Sequence, residues 1–419
     1  MKKQVTMFVW NEFQNDTRVL RECTALVEVG YSVTLLALGG KTTTIEKRTE
    51  LFTIRRLGFQ LLTTKKTWLR AFLLLIPIAI IYYFPLLAIA LLGGYILLYK
   101  TKLKHKIHQL ILILKMIFWG LKEETTIYHA NDLNTLLQAV ICGKWLKKRK
   151  VIFDSHEINI SRTGYDSWIY PLLERFLLHY TDDCIHENNT RARFIEKVYH
   201  FSPHVIYNYP FYQPAIQNKI NLHEQLGLAT TEPILLYQGG LQEGRGLDKL
   251  LDAVPHIKKG TVVFLGEGKF KSQLQAMTEQ KALANRVKFL PKVPMKDLPS
   301  YTCNAYIGFQ LLNDTCFNHY SAASNKLFEY VMAGVPVVAC EFPEIKKVVK
   351  NDEIGVLVKS DDPISIAQGV NFLIDNPEIH EKMHQNTLKA REKYNWTNEK
   401  IKFLKIYQKL VEGREENEK

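Results

Sequence analysis

Residues 321–340, SAASNKLFEYVMAGVPVVAC, carry a short helix and a buried strand within one stretch, and the fold is read outward from them. Ser324 or Asn325 is suited to cap the helix, because a short polar side chain accepts a hydrogen bond from an otherwise orphan amide. Gly334, Val335 and Pro336 then turn the chain into an apolar strand. Lys326 stands at the helix start, where anions are favoured and a diphosphate would be met. Glu329, one turn along, has the reach to accept hydrogen bonds from two ribose hydroxyls. A merely solvated glutamate is the ordinary alternative at such a position.

Upstream, YQGGLQEGRGLDKLL (residues 237–251) repeats the pattern: a strand ends at Gly239 and Gly240, a loop carries Arg245, and a helix begins near Leu247. Small residues let the backbone approach a ligand, and an arginine can fork onto phosphate oxygens. An ordinary glycine-rich turn reads the same way. FLGEGKF (residues 264–270) is a third strand end of this kind, at Gly266. Around these segments, short apolar runs alternate with helical patterns, the signature of parallel βαβ layering. Strands are expected at 5–9, 33–37, 53–57, 126–129, 150–153 and 183–186. A second series is expected at 234–238, 261–265, 287–289, 305–309, 337–339 and 355–358. Residues 17–29 form a helix with Val19, Cys23 and Leu26 on one face, Asn15 or Asp16 as N-cap and Gly30 as terminator.

The fold class is therefore α/β, with two Rossmann-like domains facing a cleft and joined near Asn208-Tyr209-Pro210. The expected limits are 1–207 for the first domain, 208–385 for the second and 386–419 for a helical tail that packs back on the first. The 419 residues exceed what one hydrophobic core usually serves, and the 47% hydrophobic, 23% charged composition excludes wholesale disorder. The six cysteines lie far apart, never as CxxC, so buried reduced thiols are expected rather than disulfides or a zinc site. The N-terminus lacks a signal h-region before Asn11 and Glu12, which predicts a cytosolic start. A net charge of +13 suits nucleic acid, anionic lipid or an anionic ligand. Its clusters (Lys100 to Lys106, Lys144 to Lys150) have no interleaved aromatic groove, so no nucleic-acid partner is expected.

Between the third and fourth expected strands lies a stretch of 29 residues without a charge, Ala71 to Tyr99. It exceeds one membrane span of roughly 20 residues and falls short of two. The flanking strands belong to one sheet, so the chain crosses the membrane an even number of times or not at all. Pro77, Pro85 and Gly93-Gly94 suit a re-entrant or in-plane hairpin within an insert of about 68–121. The lysines after it would meet anionic headgroups, with Ile107 to Leu121 lying at the interface. A buried helical hairpin or a dimer contact is the alternative. The expected location is the cytoplasmic face of the cell membrane.

Taken together, GGL…GRGLDKLLDA, FLGEG and SNKLFEYVMAGVPVVA followed by PEIKKVV resemble the donor domain of family 4 glycosyltransferases, which have the GT-B fold. HANDLNTLLQAV and DSHE are similar to that family's acceptor-domain segments, and NDTRVLRE resembles a subgroup lacking the usual glycine-rich first loop. The resemblance implies that Arg245 and Lys326 hold the donor diphosphate and that Glu329 binds ribose. It places the backbone of Leu327 and Phe328, with Gly239, Gly240 and Gly266, against the donor. It implies His156 as the catalytic-site histidine and puts Asn15, Asp16 and Arg18 on the acceptor side. Two positions depart from the family. Ser321 stands where the first acid of the E-x7-E pair is usual, leaving sugar contacts to Asn318 or His319. Leu241 replaces the usual arginine, with Lys269 as a substitute. With no Asp-x-Asp in the chain, neither metal nor cofactor is expected. The resemblance implies a retaining transfer from a nucleoside diphosphate sugar. The insert points to a lipid-linked, polyprenyl-diphosphate type acceptor in polysaccharide synthesis. A transferase with a soluble acceptor and a non-catalytic scaffold subunit are the rival readings.

Overall fold

The structure, a computed structural model, describes residues 3–14, 16–59, 103–159, 168–214 and 220–415. Hydrogen bonding orders the first eight strands as β3-β4-β2-β1-β5-β6-β7-β8. They are β1 (Gln4–Phe8), β2 (Ser32–Leu38), β3 (Thr44–Lys47), β4 (Phe52–Leu57), β5 (Ile127–Asn131), β6 (Lys150–Ser155), β7 (Asp183–His186) and β8 (His204–Val205). The second sheet runs β11-β10-β9-β12-β13-β14. Its strands are β9 (Ile234–Gln238), β10 (Thr261–Leu265), β11 (Val287–Leu290), β12 (Ile307–Gln310), β13 (Val337–Cys340) and β14 (Gly355–Val358). Every pairing in this sheet is parallel. Strands β9, β10, β12 and β13 are buried along their whole length, which parallel strands achieve only when helices cover both faces.

The helices used below are α1 (Thr17–Glu28), α2 (Leu103–Lys122), α3 (Leu133–Val140), α4 (Asn189–Tyr199), α5 (Leu247–Ala253), α6 (Asn325–Ala333) and α7 (Trp396–Glu415). Of the two N-caps expected for α1, Asp16 makes the bond, its Oδ1 accepting from the Val19 amide at 3.1 Å. Observed strands agree with the expected ones to within one or two residues, with two additions. The edge strand β3 (TIEK) pairs antiparallel with β4, and its exposed polar residues carry no buried alternation to announce it. The other addition, β8, is only two residues long.

Compact packing divides the chain otherwise than a single cut at 208 does. One unit is Met1–Asp154 with Phe176–Asp183, and the other is Ser155–Arg175 with Cys184–Lys419. Within the second unit, Leu236, Val263, Leu327, Phe328 and Val337 belong to the core on one side of the sheet, and Leu235, Tyr237, Leu250, Phe264 and Ile366 to the core on the other. Helix α7 joins this unit through the Trp396 amide, which donates to Pro210 O at 2.8 Å, and Glu399 Oε2, which accepts from the Tyr207 amide at 3.0 Å. All six cysteines are free thiols. The uncharged stretch 71–99 lies outside the described residues, and so does Asn15. Among the described residues no helix is long and apolar enough to cross a membrane.

Candidate functional site

In the second sheet the strand order reverses at β9, between β10 and β12, and open α/β sheets bind ligands beyond the strand ends at such a point. A cavity of about 360 Å³ lies there, wholly within the second compact unit. Gln238 and Gly239 from the end of β9, Arg245 from the loop before α5, Ser324 just before α6, and Lys326 and Glu329 from α6 line it. Helix α6 is fixed over the sheet by Tyr330, whose hydroxyl donates to Leu236 O (2.9 Å) and accepts from the Gln238 amide (3.1 Å). Gly308 makes room for that ring, since a Cβ there would lie 2.5 Å from Tyr330 Cδ1.

Two cations meet at the cavity. Lys326 is only 6% exposed, and its Nζ lies 4.0 Å from the centroid of the Tyr237 ring. Among the described residues neither Lys326 Nζ nor Arg245 Nε has a hydrogen-bond partner. Burial lowers the Lys326 pKa, and the Arg245 charge lowers it further, against the opposing pull of Tyr237 and Glu329. Ser324 precedes α6 without making a side-chain capping bond. Such a corner can take an anion. Beside it, Glu329 Oε2 accepts from Gln238 Nε2 at 2.7 Å, and Gln238 Oε1 in turn accepts from Thr302 Oγ1 at 2.8 Å. This relay fixes one carboxylate oxygen of Glu329 and aims the group at the cavity.

The opposite wall is held by Arg191 on α4. Its Nε donates to Ser321 Oγ (3.1 Å), Nη2 to Asn318 O (3.1 Å) and Nη1 to both the His156 carbonyl (2.5 Å) and Glu187. Asn318 clamps the loop after β6: Oδ1 accepts from the Ile158 amide (2.8 Å) and Nδ2 donates to Ile158 O (3.0 Å). With its amide engaged at both ends, Asn318 serves the loop. His319 is the better placed of the two stand-ins expected for the absent acid. Its Nδ1 lies 2.9 Å from Thr315 Oγ1 and 3.2 Å from Asn313 O, and a proton on Nδ1 would serve these oxygens and leave Nε2 as an acceptor. Burial lowers its pKa, partly offset by that carbonyl.

Of the expected site residues, Arg245, Lys326, Glu329 and Gly239 come together in the cavity. Others do not line it. Leu327 and Phe328 face the core, and the Leu327 amide already donates to Ser324 O at 3.0 Å. Gly266 packs on Gly239, where a Cβ would lie 1.9 Å from Gly239 O. Gly240 accepts from Tyr237 Oη through its carbonyl at 3.1 Å. His156 lies on the bend after β6, beside the cavity-lining Glu157 in sequence. Leu241 points into the core, which explains why no cation stands there, and Lys269 is exposed and absent from the lining.

On the expected acceptor side, Asp16 caps α1 and also accepts from Asn11 Nδ2 at 2.8 Å. Arg18, the third residue expected on that side, is an interior ion-pair partner. It is 4% exposed and pairs with Asp154 through Nε (2.9 Å) and Nη2 (2.8 Å), and with Glu22 at 3.1 Å. A buried arginine is retained where carboxylates neutralise it, and here His129 approaches the same pair, 3.8 Å from Glu22 and 3.9 Å from Asp154. Residues that sequence reasoning passed over are Gln238, Arg191, Glu157 and Glu187. A polar residue closing the apolar run ILLY was the available signal for Gln238. The others depend on loops that only folding brings together.

With this geometry in hand, the relatives fall into place. Residues 218–390 match the family described as Glycosyl transferases group 1. The D-inositol 3-phosphate glycosyltransferase of Xylanimonas cellulosilytica is 25% identical over 198 residues, 46% of each chain. The chain spans about half the length of the curated relatives it matches. Among solved structures, sucrose-phosphate synthase from Thermosynechococcus elongatus superposes with a TM-score of 0.72 at 15% identity, covering 98% of this chain and 100% of that one. Anabaena HepE in complex with UDP-glucose gives 0.69 at 13% identity, covering 97% and 99%. The chain has the GT-B fold, with parallel sheets of Rossmann-like type.

Proposed function

We propose that this chain is a glycosyltransferase of family 4 type that moves a sugar from a nucleoside diphosphate sugar to a lipid-linked, polyprenyl-diphosphate type acceptor. The work is done at the cytoplasmic face of the cell membrane, in the synthesis of a surface polysaccharide or glycan. The observation that carries it is the pair of cationic groups, Lys326 Nζ and Arg245 Nε, buried at one cavity without partners among the described residues. Lys326 is buried with the Tyr237 ring as its support and Arg245 is half-buried beside it, so a diphosphate would supply oxygen acceptors to both. The match to Glycosyl transferases group 1 and the likeness to a protein solved with UDP-glucose support a nucleotide-sugar donor.

In this reading Lys326, Arg245 and the N-terminus of α6 stabilise the negative charge that develops on the leaving diphosphate. Side-chain cations take the role that a metal plays elsewhere, so the transfer is metal-independent and needs no cofactor. Glu329, held by Gln238, receives the ribose hydroxyls. His156 stands by the donor sugar and the attacking hydroxyl, and the anomeric configuration is retained. The lipid acceptor rests on the uncharged stretch 71–99 and the lysines that follow it.

The test offers labelled UDP-, GDP- and dTDP-sugars to the membrane-bound protein and counts label in the extracted lipid. Label from one donor is expected, with Arg245→Ala and Glu329→Ala abolishing transfer in folded protein. Normal turnover in both variants would sink the site assignment, and nucleotide release without lipid label would move the acceptor into solution.

A further inference from the structure

Helix α2 is built inside out for a surface helix. Its inner side is buried: Leu112 and Met116 face the fold, and a Cβ on Gly120 would lie 2.8 Å from Phe8 and 3.1 Å from Cys142 Sγ. Leu110, Leu114 and Phe118, within about 80° of one another on the wheel, are 55%, 56% and 53% exposed. Ile107, Ile117 and Leu121, half-buried, flank them, so the outward side between 107 and 121 carries no charge. Lys115, the lysine within that span, turns inward and donates to Gly58 O at 2.6 Å. Water ordinarily faces the polar side of a helix, and an apolar strip of this kind marks an interaction surface.

We propose that the outer face of α2 is a membrane-contact surface that lies along an anionic lipid bilayer. This deepens the reading above, and it rests on that reading for its setting at a membrane. Charge chooses the occupant. The 20 residues of α2 contain no Asp or Glu, exposed His105 and Lys106 stand at one end and Lys122 at the other, and Lys100, Lys102 and Lys104 cluster at its start in the sequence. Anionic headgroups complement this arrangement, whereas a second copy would bring like charges together. The uncharged stretch 71–99 ends just before this helix in the sequence. Since its inner face is packed into the fold, α2 lies in the plane of the membrane and does not cross it.

Full-length protein carrying the photo-crosslinker benzoylphenylalanine in place of Leu114, of Phe118, or of the exposed control Phe372 is bound to phosphatidylglycerol-containing vesicles with labelled lipid. Irradiation is expected to join lipid to positions 114 and 118 but not to 372. Crosslinks from 114 and 118 to protein, or none to lipid in sedimented protein, would overturn the surface. Sugar transfer scored on the same vesicles separates the two ideas. Crosslinking without transfer leaves the surface standing and removes the lipid-acceptor reading, and transfer without crosslinking does the reverse.

Discussion

In the proposed function a single lysine carries much of the chemistry. Lys326 sits in low dielectric over an aromatic ring, with Arg245 as its like-charged neighbour. Replacing it by methionine removes a cation that the empty protein must keep desolvated, so Lys326→Met should melt at the same or a higher temperature. A charged hydrogen bond is worth about 1.5–3 kcal/mol, so nucleoside diphosphate binding should weaken roughly 10- to 100-fold, as calorimetric titration would measure. The pH signs are opposed. A lysine with a lowered folded pKa binds fewer protons folded than unfolded, so its contribution to stability rises with pH between the lowered value and the ordinary 10.5. Diphosphate affinity falls through the same window, because binding must take up a proton. A Kd independent of pH up to 10.5 would show that Lys326 does not meet the anion. The residue type and its place at a helix start were legible in the sequence, whereas its burial and missing partner depend on Tyr237 and Arg245, far away along the chain.

At the scale of elements, the strand-end turns of β9 and β10 support one another. Gly266 has φ +155° and leaves no room for a Cβ beside Gly239, whereas a Cβ on Gly240 would meet nothing nearer than Gln242 Cδ at 3.7 Å. Gly266→Ala should therefore lower stability by at least about 1–3 kcal/mol, and in whatever folds it should displace Gly239 from the cavity wall and weaken nucleotide binding. Gly240→Ala should be close to neutral. Urea denaturation of the pair checks both, and equal midpoints would disprove the contact. Both glycines looked alike in sequence, as small residues at a strand end. What separates them is the neighbouring turn, which sequence spacing does not reveal. Strands β9, β10, β12 and β13 were legible because fully buried parallel strands favour apolar runs, and β3 escaped because an exposed edge strand does not.

For the whole molecule, α7 is a seam of the second unit. Buried Glu399 accepts from the Tyr207 amide, while Tyr209 packs at ring-centroid distances of 4.5 Å from Phe328 and 5.4 Å from Tyr394. Glu399→Ala strands a buried amide and should cost about 1–3 kcal/mol, with Glu399→Gln recovering most of it. Thermal unfolding of the two variants would decide, and equal stability would mean that the tail does not brace the unit. By itself the sequence determined the α/β class, the positions of most strands, the glycine-rich turns at their ends and the uncharged stretch beside a basic cluster, because these depend on local periodicity and residue type. Tertiary structure alone decided which of those turns share a cavity, that Arg18 is an interior ion-pair partner, that Arg191 ties the loop after β6 to Ser321 and Asn318, and that α2 turns its apolar side outward. Each of these depends on what lies across space from a residue, and burial and partnership are properties of the folded neighbourhood rather than of the chain.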